Sequence, residues 1–277
     1  MLTIEPSHPL YNLSHPAVMK PISYVEYDRK SAGEGGIKEL EESVNKEWQE
    51  SRIANKENDS ICPNTPYPLI LIETGENLGF AGRNNVGIRY GLKHKFKYIW
   101  LLNNDTVFDS LCLNLCVDTF NELIGVVGPK ILWYDDPSRI WYAGARIRMY
   151  KGGGLYIGLG RQDGSEFKGI KMAAFVSGCA FIARRTLFEE VGLLGEDFFL
   201  AHEDVDLSYR AGQQQMLFCV NLDSKIYHKA EEPWDGKALK PSVSTIKVVC
   251  FSSRRIVDFL GHNPTYQFRI IDASEKA

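Results

Sequence analysis

The stretch YIWLLNNDTVF, residues 98–108, runs from the apolar Tyr98–Leu102 straight into Asn103, Asn104 and Asp105. A buried strand that stops on such a group is one way an open α/β sheet presents polar side chains to a ligand, because crevices open where its strands end. The same residue types also start ordinary turns, since Asn and Asp bond their own backbone. Which of the two applies depends on what lies on either side.

Upstream, ISYVEYD (22–28) reads as a short strand, and the following KSAGEGG has the glycines of a turn. Residues 37–58 carry Ile37, Leu40, Val44 and Trp48 three or four apart among charges, the pattern of an amphipathic helix, and DSICPNTPYP then breaks it as a loop. LILIE (69–73) is a compact strand, TGENLGFAGRNN a loop, and VGIRYGLKHK a helix. Downstream of the opening stretch come a helix in DSLCLNLCVDTF and a strand in IGVVGPKILWY. Strands alternating with helices predict an α/β fold with a mainly parallel central sheet flanked by helices.

From 138 to 182 the texture changes to strand-like runs, RIWYAGARIRMY, GLYIGLG and AAFVSGCAFIA, separated by glycine-rich turns. RTLFEEVG and EDVDLSYRAG read as short helices and MLFCVN as a strand. STIKVVCFSSRRIVDFLGH (244–262) reads as a final helix of mixed basic and apolar surface. The expected organisation is one domain over 22–262, with an irregular segment at 1–21 and a tail at 263–277.

The 277 residues, 44% hydrophobic, are enough for a proper core. Charges nearly cancel, 32 Lys plus Arg against 35 Asp plus Glu, so no long-range field recruits nucleic acid and a phosphate ligand must be held locally. Six cysteines without a CxxC pair predict reduced thiols and a cytoplasmic setting, with Cys112 and Cys116, one helical turn apart, read as core rather than metal ligands. No secretory leader or membrane-spanning run is legible.

Three stretches carry candidate chemistry. ENLGFAGRNNVGI (76–88) sets glycines and asparagines between a strand and a helix, where backbone amides can approach an anion or simply make a tight connection. FFLAHEDVDLSYR (198–210) gathers Glu203, Asp204 and Asp206 at a helix start; such acids suit the helix dipole, and one facing a cleft can take a proton from a hydroxyl. Three acids in four positions also require something to offset their repulsion. His228 in IYHK stands where a sheet terminus exposes an imidazole, and with the oxygen of Asp105 it makes a mixed donor set that suits manganese better than calcium.

In order, ENLGFAGRNN, LLNNDT, VSGCAFIARR, GLLGEDFFLAHEDVDLSYR and IYHK resemble the inverting glycosyltransferases of family 2, in particular the rhamnosyltransferase-like branch, over about Ile22 to Arg255. The resemblance implies the nucleotide-diphospho-sugar transferase fold called GT-A. It implies Asp105 as a ligand of a divalent metal, Mn2+ or Mg2+, with His228 as the second ligand and Asn103 as a weakened first position of the acid-x-acid motif. It implies Asp204 as general base with Glu203 in support, and Gly178 and Cys179 on the acceptor side. Donor contacts are implied at Asp28, Asn77, Gly79, Gly82, Arg83, Asn84, Asn85, Asn103, Asn104 and Arg254. Arg83 stands where many relatives have glycine. The family's first strand and helix are not legible ahead of Ile22, which predicts a truncated or diverged amino-terminal segment.

The implied reaction moves a sugar from a nucleotide-sugar donor, dTDP-rhamnose or a UDP-hexose, to a glycan or lipid-linked acceptor. Lipid-linked acceptors imply peripheral contact with the inner face of a membrane, through the helix bearing Arg254, Arg255, Val257 and Phe259; packing of that helix against the domain is the preferred alternative. Two other readings stay open: a non-catalytic sugar-binding or assembly module that has lost its donor pocket, and a nucleotidyltransferase, against which stands the absence of an early glycine-rich motif ending in basic residues.

Overall fold

In the computed structural model, Tyr98–Asn103 forms a strand whose first five residues are all buried, so both of its faces are covered. That continuous burial, rather than alternation, marks a strand inside an α/β sandwich. The structure describes residues 24–54, 69–148, 154–198, 201–229 and 246–251.

In chain order the elements are β1 (Tyr24–Asp28), α1 (Arg29–Glu34), α2 (Lys38–Ala54), β2 (Leu69–Glu73), α3 (Gly79–Lys93), β3 (Tyr98–Asn103), β4 (Thr106–Phe108), α4 (Cys112–Asp118) and β5 (Ile124–Trp133). There follow β6 (Ile140–Tyr142), β7 (Ala145–Ile147), β8 (Gly154–Tyr156), β9 (Ile170–Met172), β10 (Ala180–Arg184), α5 (Arg185–Glu190), α6 (Glu203–Gln213), β11 (Leu217–His228) and β12 (Ile246–Phe251).

The main sheet has the order β12-β3-β10-β5-β11-β4, with β6 on β5 and β9 on β11; β1 and β2 form a separate parallel pair, and β7 and β8 an antiparallel one. The α/β class stands, but the sheet is mixed rather than mainly parallel. Among the described residues, only β5 and β11 pair in parallel within it. β10 runs antiparallel between β3 and β5, so those two point the same way without touching. The cause is the 138–182 excursion, which brings the chain back into the middle of the sheet in reverse.

Three local expectations are corrected. KSAGEGG is a helix rather than a turn: Asp28 accepts from the Ser31 N–H at 2.7 Å to cap its start, and left-handed Gly35 ends it. The expected loop at 74–85 is largely the start of α3, which begins at Gly79 with φ +69°. The expected helix at 244–262 is instead a strand over Ile246–Phe251, antiparallel to β3. Arg254, Arg255, Val257 and Phe259 lie outside the described residues, as do the segments 1–21 and 263–277 and the loop 59–68.

One large cluster built on β3, β5, β10 and β11 forms the core, and a smaller one around Val25, Tyr27, Ile72 and Tyr90 joins the β1–β2 pair to α3. Cys112 and Cys116 are buried on α4, as expected of core residues, each within hydrogen-bond reach of the Ser224 hydroxyl. Lys130, 2% exposed, donates from Nζ to Asp163 at 2.6 Å and to the Phe167 carbonyl at 3.0 Å, pinning the excursion to β5.

Candidate active site

The Asn103–Asp105 turn leaves β3 and enters β4, and it is held on three sides. Asn103 N–H donates to the Cys179 carbonyl, the Thr106 hydroxyl donates to the Asn103 carbonyl, and Lys229 N–H donates to the Asp105 carbonyl. Because His228 pairs with Thr106 in the β4–β11 ladder, its imidazole is delivered to the adjacent carboxylate. His228 Nε2 lies 3.3 Å from Asp105 Oδ1. The contact is not aligned as a hydrogen bond: Asp105 Oδ1 and His228 Nδ1 are both buried without a hydrogen-bond partner.

These residues fit a divalent cation. Burial by itself pulls the His228 imidazole down, but Cys179 and Asp105 beside it push its pKa up to about 10, so a cation bound there would displace a proton from the ring. An orphaned buried carboxylate oxygen beside an imidazole offers the cation one oxygen and one nitrogen. No group of three or more His, Cys, Asp and Glu side chains gathers as a cage among the described residues. Such a site leaves further coordination positions to water and to a ligand's phosphates, as magnesium-type sites do.

The second half of the site is the start of α6. Ala201 and His202 are both left-handed, at φ +72° and +77°, an arrangement that costs backbone strain in non-glycine residues and aims the first turn of the helix. The three acids there meet three different fates. Asp206 accepts from the Arg210 guanidinium at 2.7 and 3.0 Å, and Arg210 also donates to the carbonyls of Val191 and Leu193. Asp204 accepts from the backbone N–H of Gly178 at 3.1 Å and of Val205 at 2.8 Å. Glu203, 4% exposed, leaves Oε2 with no partner. Burial and then the neighbouring Asp204 charge push Glu203 up to about 7. Burial raises Asp204 as well, while the Gly178 and Val205 amides pull it back. The repulsion among the acids is therefore relieved by an ion pair, by two amides and by a proton.

The two halves meet through Gly178 and Cys179, which lead into β10 beside β3. Gly178 reaches Asp204, while Cys179 borders His228 and accepts from Asn103. A side chain at 178 would be tight: a Cβ there would sit 3.0 Å from both Glu203 Oε1 and Phe80, so one of them would have to shift slightly.

The expected donor residues divide. Asp28 is exposed at the carboxyl end of β1, opposite Glu73, and the next residue, Arg29, pairs with Glu76 at 2.9 Å, so this end joins the loop before α3. Asn77 Oδ1 accepts from Gly79 N–H and from Arg83, whose Nε also donates to the Gly79 carbonyl. Gly82 is buried in the same first turns. Asn104 is half-buried in the turn with Asp105. Asn84 and Asn85 are fully buried: Asn84 Nδ2 donates to the Phe80 carbonyl while its Oδ1 has no partner, and Asn85 clamps Leu194 and Glu196, tying α3 to the loop ahead of α6.

Sequence reasoning missed Trp141, Tyr156 and Ser177. The Trp141 ring meets the His228 ring edge-on at 4.9 Å and the Tyr156 ring at 5.1 Å. Tyr156 and Ser177 share a hydroxyl contact of 3.2 Å. Trp141 and Tyr156 showed only as aromatic residues within the strand-like runs RIWYAGARIRMY and GLYIGLG, and Ser177 only as the residue before Gly178 in VSGCAFIARR.

No protein-family model matches the chain. It is 25% identical over 154 residues to the low-salt glycan biosynthesis hexosyltransferase Agl10 of Haloferax volcanii, a match that takes in 52% of this chain and 47% of that protein. The chain thus spans about half the length of that relative. Among solved structures it is similar to the crystal structure of GalNAc-T7 with UDP, GalNAc and Mn2+, at 15% identity and a TM-score of 0.47, over 73% of this chain and 38% of that one.

Proposed function

We propose that this chain is a glycosyltransferase of the GT-A type, a hexosyltransferase of family 2 acting with inversion. The observation that carries the reading is the meeting of Asp105 with His228 at the end of β3, with Asp204 held by Gly178 one residue from Cys179, their shared neighbour. The similarity to a hexosyltransferase supports it from sequence.

The donor is a nucleoside-diphosphate sugar, dTDP-rhamnose or a UDP-hexose, and the acceptor a hydroxyl of a glycan or lipid-linked saccharide. Asp105 and His228 would hold Mn2+ or Mg2+, which when bound supplies positive charge against the departing diphosphate. Asp204 takes the proton of the acceptor hydroxyl as the new bond forms, its carboxylate oriented by the Gly178 and Val205 amides. Glu203, buried with Oε2 unpartnered, holds the proton that keeps the pair from carrying two adjacent charges. Asp28 and the Asn77–Arg83 turn line the nucleotide end.

A thermal-shift panel of nucleotide sugars with and without MnCl2 tests the reading, because a ligand of the folded state raises its melting temperature. Metal-dependent stabilisation by at least one donor is expected. In D204N that stabilisation should persist while sugar transfer falls by ~10²–10⁴. A blank panel would favour a non-catalytic module; unchanged turnover in D204N would remove Asp204 as the base.

A further inference from the structure

We infer that Trp141 is the wall of the donor site against which the transferred hexose ring packs. The inference rests on the glycosyltransferase reading and adds to it the residue that distinguishes a sugar-bearing donor from a bare nucleoside diphosphate.

β6 is buried at Ile140 and Tyr142 and half-buried at Trp141 between them. Trp141 packs at the margin of the main core cluster with part of its surface left uncovered. It is flanked by groups from both ends of the site. On one side the His228 ring stands edge-on at 4.9 Å with an interplanar angle of 84°. On the other side Tyr156 stands at 5.1 Å and 62°, and its hydroxyl touches Ser177, the residue before the glycine that positions Asp204. Trp141 thus bridges the cation end and the base end.

Displacement with inversion fixes what must lie there. The C–O bond to the diphosphate breaks on one side of the anomeric carbon, with its electron pair leaving on the diphosphate. A bond from the acceptor oxygen forms on the other side, with that oxygen's proton passing to Asp204. The ring that carries the anomeric carbon therefore sits between the cation and the carboxylate, alongside Trp141. A pyranose presents a face of C–H groups, and a large aromatic surface beside a few fixed polar groups is the usual lining for such a ligand. A purely structural indole, packed only to steady His228, would instead affect every ligand that engages the cation.

Calorimetric titration in MnCl2 of wild type, W141A and W141F with UDP, dTDP, UDP-glucose and dTDP-rhamnose separates these. W141A should bind the recognised nucleotide sugar about threefold to tenfold more weakly, the range of an aromatic contact, with its affinity for the matching sugar-free diphosphate unchanged. W141F should recover most of the loss. Equal weakening of both ligands, or of neither, would overturn the inference. If wild type binds the diphosphate but not the sugar any better than W141A does, Trp141 is not the wall; if wild type binds no ligand of the panel, the glycosyltransferase reading itself falls and takes this inference with it.

Discussion

Glu203 and Asp204 are neighbours in sequence with opposite surroundings. Asp204 accepts from the Gly178 and Val205 amides, while the buried Glu203 keeps Oε2 without a partner, which favours the proton on Glu203. The consequence extends to stability. Glu203 goes from an ordinary value of 4.5 to about 7, so the fold binds its proton more tightly than the unfolded chain does. The stabilisation from that proton is fully present below the ordinary value and is lost as pH rises through about 7, amounting to roughly 3 kcal/mol. Urea midpoints of wild type should therefore fall between about pH 5 and pH 8, while those of E203Q, which cannot ionise there, fall much less. Parallel pH profiles would mean that Glu203 titrates as it does in an unfolded chain.

The turn into β10 couples these side chains to the sheet. Substituting Gly178 by Ala would bring a methyl to 3.0 Å from Glu203 Oε1 and Phe80. Because Gly178 N–H also fixes Asp204, its displacement should lower turnover by about 10- to 100-fold, the scale of a misplaced reacting group, with donor affinity at the cation end held within about twofold. Wild-type turnover in G178A would show that the contact yields without moving the carboxylate. Much at this scale was legible in the chain. β2, β3, β5 and both candidate halves of the site follow from apolar runs that stop on polar residues, and the pairing of Asp105 with His228 was anticipated from resemblance and donor chemistry. The α3 start was missed because glycines and asparagines signal loops by propensity, whereas here Gly79 supplies the left-handed entry and Asn84 and Asn85 find partners only in the folded chain. Trp141 was illegible as a site residue because nothing local reveals which neighbours a strand will acquire.

In the molecule as a whole, the mixed sheet exists because the 138–182 excursion returns β10 between β3 and β5, and Lys130 anchors that excursion. Its ammonium is buried and its partner Asp163 is only 15% exposed, so removing the cation strands a carboxylate. K130A should lose about 3 kcal/mol of unfolding free energy, measured in denaturant, with Lys225 at 3.6 Å from Asp163 limiting the loss. A loss below about 0.5 kcal/mol would place the pair among inconsequential surface bridges.

The sheet edge at β12 bears on how this protein can be labelled. Ile246 lies opposite Asn103 and Phe251 opposite Tyr98, so the strand enters at the rim of the candidate site and leaves about 17 Å away, at the other end of β3. Lys229, the last residue before the segment that leads to Ile246, is likewise bonded beside Asp105. A fluorophore or affinity handle spliced between Lys229 and Ile246 thus starts from residues held beside Asp105 and opposite Asn103, whereas the same handle placed just after Phe251 starts from the remote end of β3.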